Sequence, residues 1–224
     1  MKRKIYFFIL FPIYVLAACF GCASYKAKPL PNLAPEFAAY SETIDDVTFA
    51  CETLTKEQCK KHFDRDIIKK GYQPLLIAIA NDSDKHIVFS PKGVSLPVSP
   101  PEEVAEKVHT STAGRATAYG VGALFLWPLA IPMIVDGAKS YEANTQLDKD
   151  FSEKNIGELV INPHTTHNGV IFISNENFEE SFSVRLVNRD TGKDLNYNIQ
   201  GMQGHFSAND IPSKDPKKTE SEEP

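Results

Sequence analysis

The chain lacks the short motifs that identify the common classes of enzyme. It has no Gly-Xaa-Ser-Xaa-Gly nucleophile elbow and no glycine-rich phosphate loop followed by Lys and Ser or Thr. Only four cysteines are present, and Cys51 and Cys59 are too far apart to form a Cys-Xaa-Xaa-Cys redox pair. We therefore predict that the protein is not an enzyme and has no catalytic residue, no cofactor and no bound metal.

Basic charge is also scarce. The chain has 24 Lys and Arg against 29 Asp and Glu, a formal net charge of −5. Removal of Lys2, Arg3 and Lys4 with a signal peptide would lower this charge to about −8. A general nucleic-acid binder needs a basic face, so the sequence predicts no nucleic-acid partner.

Few side chains are candidates for metal binding or acid–base chemistry. His164, His167 and His205 could together bind zinc, but the first two lie in a predicted loop without a suitably spaced Cys or acidic ligand. His62 belongs to a predicted helix whose neighbouring lysines and aspartates are typical of a solvated face. We therefore favour solvated histidines and keep a metal-dependent periplasmic enzyme only as the least favoured function.

The clearest positive signal lies in residues 1–19. Residues 1–4 hold three basic side chains, residues 5–18 are almost entirely apolar, and Leu16-Ala17-Ala18-Cys19 places two small residues before a cysteine. This pattern resembles the lipobox signal peptide of bacterial lipoproteins. The resemblance implies that residues 1–18 are removed and that Cys19 is acylated, by palmitate or a similar chain. The mature protein would then bind membrane lipid in the bacterial cell envelope.

Alternatives to lipidation at Cys19 remain open. Cys22 is a second candidate, and residues 1–18 could instead be an ordinary cleaved signal peptide or an uncleaved anchor. The apolar run is short for a spanning helix, which needs about 20 residues. In enteric lipoproteins, an Asp directly after the acylated cysteine resembles an inner-membrane retention signal. This chain has Phe20 at that position. The outer membrane, with the protein facing the periplasm, is therefore favoured over the inner membrane.

The rest of the chain predicts a mainly β fold with helices, of the α+β class. Apolar residues alternate in several short segments separated by polar turns, which is typical of an antiparallel β-sandwich; an immunoglobulin-like sandwich is one candidate form. Thr55 and Gln58 match a capping box before a helix over 56–70. Asn168-Gly169 predicts a hairpin turn. We predict a flexible tether over 19–42, a sandwich domain over 43–206 with a helical insertion at 111–156, and a disordered polar tail over 207–224.

Cys51 and Cys59 could form a disulfide. An exported protein meets an oxidising compartment, and the two residues lie on a predicted strand and on the helix that follows it. The alternative is two reduced, buried thiols.

The most unusual segment of the body is an apolar stretch over 116–135 that carries no charged side chain. Gly114, Ala118 and Gly122 are spaced four apart, which places them on one helical face and permits close helix packing. The segment could form a hairpin that dips into the membrane, a single spanning helix, or a helical insert buried in protein. We therefore treat these three residues as a possible helix-packing or membrane face.

Together these observations predict a non-enzymatic, lipid-anchored envelope protein that acts as a binding or assembly module at the membrane. Its predicted partners are membrane lipid, through acylated Cys19, and either a second copy of the chain or another envelope protein. The alternative is a membrane-inserting or pore-associated lipoprotein that uses segment 114–135.

Overall fold

The computed structural model describes residues 24–109 and 130–211. The chain divides into two compact units. The larger unit comprises Lys26–Val108 and Asp148–Pro224 and contains all the described strands. The smaller unit comprises Met1–Tyr25 and His109–Leu147, and its described part is mainly the first two thirds of one long helix.

The described residues form nine strands and three helices. The strands are β1 (Tyr40–Ile44), β2 (Val47–Thr53), β3 (Tyr72–Asn81), β4 (Ile87–Phe89), β5 (Val98–Ser99), β6 (Leu159–Ile161), β7 (Thr165–Ser174), β8 (Phe182–Asn188) and β9 (Asp194–Ile199). The helices are α1 (Lys56–Phe63), α2 (Pro101–Val108) and α3 (Ala130–Lys154).

Two antiparallel sheets form the body of the larger unit. One has five strands in the order β1-β2-β3-β7-β5, and the other has four in the order β6-β4-β8-β9. This confirms the predicted α+β class with a sandwich-like pair of antiparallel sheets. The immunoglobulin-like form stays a prediction.

Alternation along the strands builds the core between the two sheets. Val47, Phe49 and Cys51 of β2 all belong to one buried apolar cluster, and β9 supplies Leu195, Tyr197 and Ile199 to it. Successive residues of a strand point to opposite faces, so every second residue enters this core. The hydroxyl of Tyr197 also donates a hydrogen bond of 2.8 Å to the carbonyl of Val47.

The outer face of the five-stranded sheet is covered by helices. Phe172 lies between two residues of the inter-sheet core and therefore points outward, where its ring centroid is 5.8 Å from that of Phe63 and 5.6 Å from that of Phe151. Tyr72, also on the outer face, donates a hydrogen bond of 2.6 Å to Glu103 of α2. The larger unit is thus layered as sheet, sheet and helices.

Helix α1 begins as predicted and ends early. Thr55 and Gln58 form the predicted capping box, in which each side chain accepts a hydrogen bond from the other residue's backbone. The helix then ends at Phe63 rather than at 70, because Asp64 adopts a left-handed conformation with φ 51°. A separate 3-10 turn over Ile68–Lys70 follows, and Gly71 provides its left-handed end.

The predicted hairpin turn at Asn168-Gly169 is wrong. Both residues lie inside the ten-residue strand β7. Gly169 is needed there for close approach: a Cβ atom at this position would lie 2.7 Å from the Cβ of Ile156 and 3.2 Å from the carbonyl of Lys154. The glycine thus makes room for the chain that follows α3.

The C-terminal segment stays ordered beyond the predicted boundary at 207. Ser207 and Asp210 form a further capping box, and the Asp210 carboxylate accepts a hydrogen bond of 2.8 Å from the Lys56 ammonium. Asp210 is only 7% exposed. The segment therefore belongs to the body as far as the described residues extend, to 211.

Candidate functional site

Several predicted site residues lie outside the described residues. These are Cys19, the predicted lipidation site, and Gly114, Ala118 and Gly122, the predicted packing or membrane face. The structure describes the points at which the chain leaves the larger unit toward these residues.

The predicted disulfide is not formed in the structure. Cys51 and Cys59 are both free thiols and both fully buried. Cys51 points into the inter-sheet core, whereas Cys59 belongs to α1, which packs through Phe63 on the opposite face of the same sheet. Burial raises the pKa of Cys59 to about 12 and also raises the pKa of Cys51, so both thiols are held protonated and unreactive.

The histidines considered for zinc have other partners or lie exposed. His164 lies 3.1 Å from the Asp84 carboxylate through its Nε2 atom, while His167 is exposed on β7 and His205 is exposed after β9. Within residues 24–109 and 130–211, no group of three or more His, Cys, Asp or Glu side chains is arranged to hold a metal ion.

His62 is buried rather than solvated, because the N-terminal segment lies across it. We call residues 26–33 the N-terminal strap. The Nδ1 atom of His62 hydrogen-bonds the carbonyl of Pro29, and the backbone N–H of Lys28 donates to the carbonyl of Lys61 at 3.0 Å. His62 is 4% exposed, and this burial lowers the pKa of its imidazole.

The far end of the strap is held by β7. The Asn168 side chain accepts a hydrogen bond of 3.3 Å from the backbone N–H of Leu33 and donates one of 2.8 Å to the side chain of Asn32. The Leu33 side chain is buried. The predicted flexible tether over 19–42 is therefore bound to the body from Lys26 to Leu33, since an extended, proline-rich chain leaves its backbone groups open to partners.

The near end of the strap meets the end of α2 at one small polar cluster. Asp64 accepts a hydrogen bond of 3.2 Å from the backbone N–H of Lys26 and one of 3.0 Å from Arg65. Arg65 in turn donates a hydrogen bond of 3.1 Å to the carbonyl of Val108. We call Lys26, Asp64, Arg65 and Val108 the exit site. The chain leaves the larger unit here in two directions, toward Cys19 and toward the apolar stretch.

Lys154, at the end of α3, fixes the neighbouring end of α1. Its ammonium donates a hydrogen bond of 2.6 Å to Asp150 and another to the carbonyl of His62, and it lies 5.1 Å from the ring centroid of Phe63. The side chain is only 10% exposed. A buried lysine needs such partners. Lys154 therefore holds the C-terminal end of α3 against the C-terminal end of α1, which is followed by Asp64 of the exit site.

A polar crevice of about 420 Å³ lies at a different place, where β2 meets α1 and the chain after β9. Its lining includes Glu52, Thr53, Gln58, Gln200, Gln203 and His205. Burial raises the pKa of the half-buried Glu52 carboxyl. No motif marks these positions in the sequence, because the crevice combines residues about 150 positions apart.

The chain matches no known protein-family model, no curated protein and no solved structure. Among the described residues, none of the helices is both long enough and apolar enough to cross a membrane.

Proposed function

We propose that the protein is a lipid-anchored protein of the bacterial cell envelope, and that its larger unit is a non-enzymatic binding or assembly module held close to the membrane. The observation that carries this proposal is the exit site. A lipid anchor restricts a domain only if the connecting chain is short or bound, and here the strap is bound from its first residue, Lys26.

The length of the remaining connection supports the same proposal. Cys19 and Lys26 are seven residues apart. An extended chain spans at most about 3.5 Å per residue, so an acyl group on Cys19 would hold the exit site within about 25 Å of the lipid surface. We propose the outer membrane, with the body facing the periplasm.

The second candidate function is membrane insertion through segment 114–135. The exit site favours it specifically, because Val108 leaves the larger unit beside Lys26 through the Arg65 and Asp64 contacts. A body anchored through Cys19 would deliver the apolar segment to the same membrane surface. The segment could then insert, or it could pair with a second copy or with another envelope protein.

Fractionation of the envelope tests both candidates. In one form of the protein, residues 1–18 are replaced by a cleavable secretory signal peptide and Cys19 is changed to Ser; the matched control keeps the natural N-terminus and carries Cys22→Ser. We expect the control to remain in the membrane with an acylated N-terminal cysteine by mass spectrometry, and the Cys19→Ser form to be released with the periplasm.

Two other outcomes would argue against anchoring by acyl chains alone. Retention of the Cys19→Ser form until detergent is added would favour insertion of segment 114–135 over anchoring by acyl chains alone. A natural N-terminus without acylation would contradict the lipid-anchor proposal.

A further inference from the structure

The polar crevice has walls that are fixed before any ligand binds. Thr53 donates a hydrogen bond of 2.6 Å to the carbonyl of Gln203, and the Gln73 side chain accepts one of 2.7 Å from the backbone N–H of His205. Gln73 is fully buried and also donates to the carbonyl of Leu54 at 2.9 Å. One buried amide thus joins the chain after β9 to the end of β2, which makes the crevice a preformed feature.

The Glu52 carboxylate stands out within this crevice. Among the described residues it forms no hydrogen bond or ion pair, although it is half-buried. The lining contains no other acidic side chain and no Lys or Arg. A partly desolvated carboxylate without a partner is unfavourable, and an organic cation bound beside it would relieve that cost.

We propose that the crevice binds the guanidinium or ammonium group of a small polar ligand, with Glu52 as the anionic partner. The amide side chains of Gln200 and Gln203 offer neutral hydrogen-bonding groups around the charged end. The volume suits one basic amino-acid side chain or a short polyamine. The inference assigns a ligand class to the proposed binding module and rests on that role, but not on the lipid anchor.

The test uses the full-length chain extracted in detergent and titrated by calorimetry. The probes are Nα-acetyl-argininamide, for a basic side chain, and spermidine, for a free polyamine; Nα-acetyl-citrullinamide is the uncharged match of the first. We expect saturable binding of at least one cationic probe and none of the citrulline compound. Glu52→Gln should weaken the binding about tenfold or more, because it removes the ionic partner and keeps the shape.

Glu57→Gln is the matched control, since Glu57 is an exposed residue in the first turn of α1. It should bind the probe as the natural chain does. Glu52→Gln should fold at least as stably, because it removes an unpaired, half-buried charge, and thermal unfolding checks this. Binding that survives Glu52→Gln, binding of arginine and citrulline compounds alike, or no binding of either cation would each overturn the proposal. Membrane fractionation is unaffected by these outcomes, so the two proposals fail separately.

Discussion

At the scale of single residues, His62 predicts how the stability of the strap depends on pH. Its imidazole is buried beneath Pro29 and lies near the ammonium groups of Lys61 and Lys154. Burial, the largest cause, lowers the pKa below its ordinary value of 6.5. In acid, therefore, the unfolded chain gains a proton before the folded chain does, and the contribution of neutral His62 to stability is lost.

We expect the free energy of unfolding of the natural chain, compared with that of His62→Gln, to decline as the pH falls below about 6.5. The decline should not exceed about 1.4 kcal/mol per pH unit and should level off below the folded pKa. Urea unfolding of the two proteins between pH 7.5 and 5 measures it. His167→Gln, at an exposed site on β7, is measured alongside as the control for the loss of a histidine. A constant difference between the natural chain and His62→Gln would show that His62 titrates normally.

The positions of Cys51 and Cys59 in the sequence do not reveal on which face of the sheet each side chain lies. Their positions on a strand and on the next helix were predicted correctly, and both are buried. The missing information was the face of the sheet toward which each one points. A helix that follows a strand can cover either face, and here it covers the face opposite to Cys51.

At the scale of elements, Gly169 allows the chain after α3 to lie against β7. The backbone N–H of Ile156 donates a hydrogen bond of 3.0 Å to the carbonyl of Val170, directly beside the glycine. We expect Gly169→Ala to destabilise the body by about 1–3 kcal/mol, because the new methyl group must displace Ile156 or the backbone. Thermal and urea unfolding measure the loss.

Gly157→Ala is the matched control for this element. A Cβ atom there meets only the Asn155 side chain at 3.9 Å, and no positive φ is required. It should change stability by no more than about 0.5 kcal/mol. Equal effects of the two substitutions would contradict the close approach.

Some sequence patterns were sufficient to predict the secondary-structure elements. Alternation predicted the core-facing residues of β2 and β9, and the capping box predicted the start of α1, because these signals depend on neighbouring residues alone. The hairpin turn predicted at Asn168-Gly169 was wrong for the same reason. The local sequence does not distinguish a glycine in a turn from Gly169, which is required because the backbone of Ile156, 13 positions earlier in the chain, packs against it.

At the scale of the whole molecule, the exit site connects two sequence signals that lie about 100 residues apart. The lipobox-like segment and the apolar stretch could each be recognised without a structure. The closeness of Lys26 and Val108, from which the chain continues toward these two segments, could not be predicted, because it depends on Asp64 and Arg65, which resemble an ordinary charged helix end in the sequence. The same holds for the crevice, which joins β2 to the chain after β9.

The lipid-anchor proposal places the exit site at the membrane surface when Cys19 is acylated. It is tested most directly with a fluorophore on a single introduced cysteine, in acylated protein reconstituted into liposomes that contain headgroup-spin-labelled lipid. Cys22→Ser removes a further thiol, while Cys51 and Cys59 are fully buried. Lys107→Cys places the label next to Val108. Asn196→Cys places it on the exposed face of β9, which lies on the side of the two sheets opposite to the helices.

We expect the label at 107 to be quenched more strongly than the label at 196, because the connection to Cys19 would hold the exit site within about 25 Å of the lipid surface. Equal quenching of the two labels, or stronger quenching at 196, would contradict it.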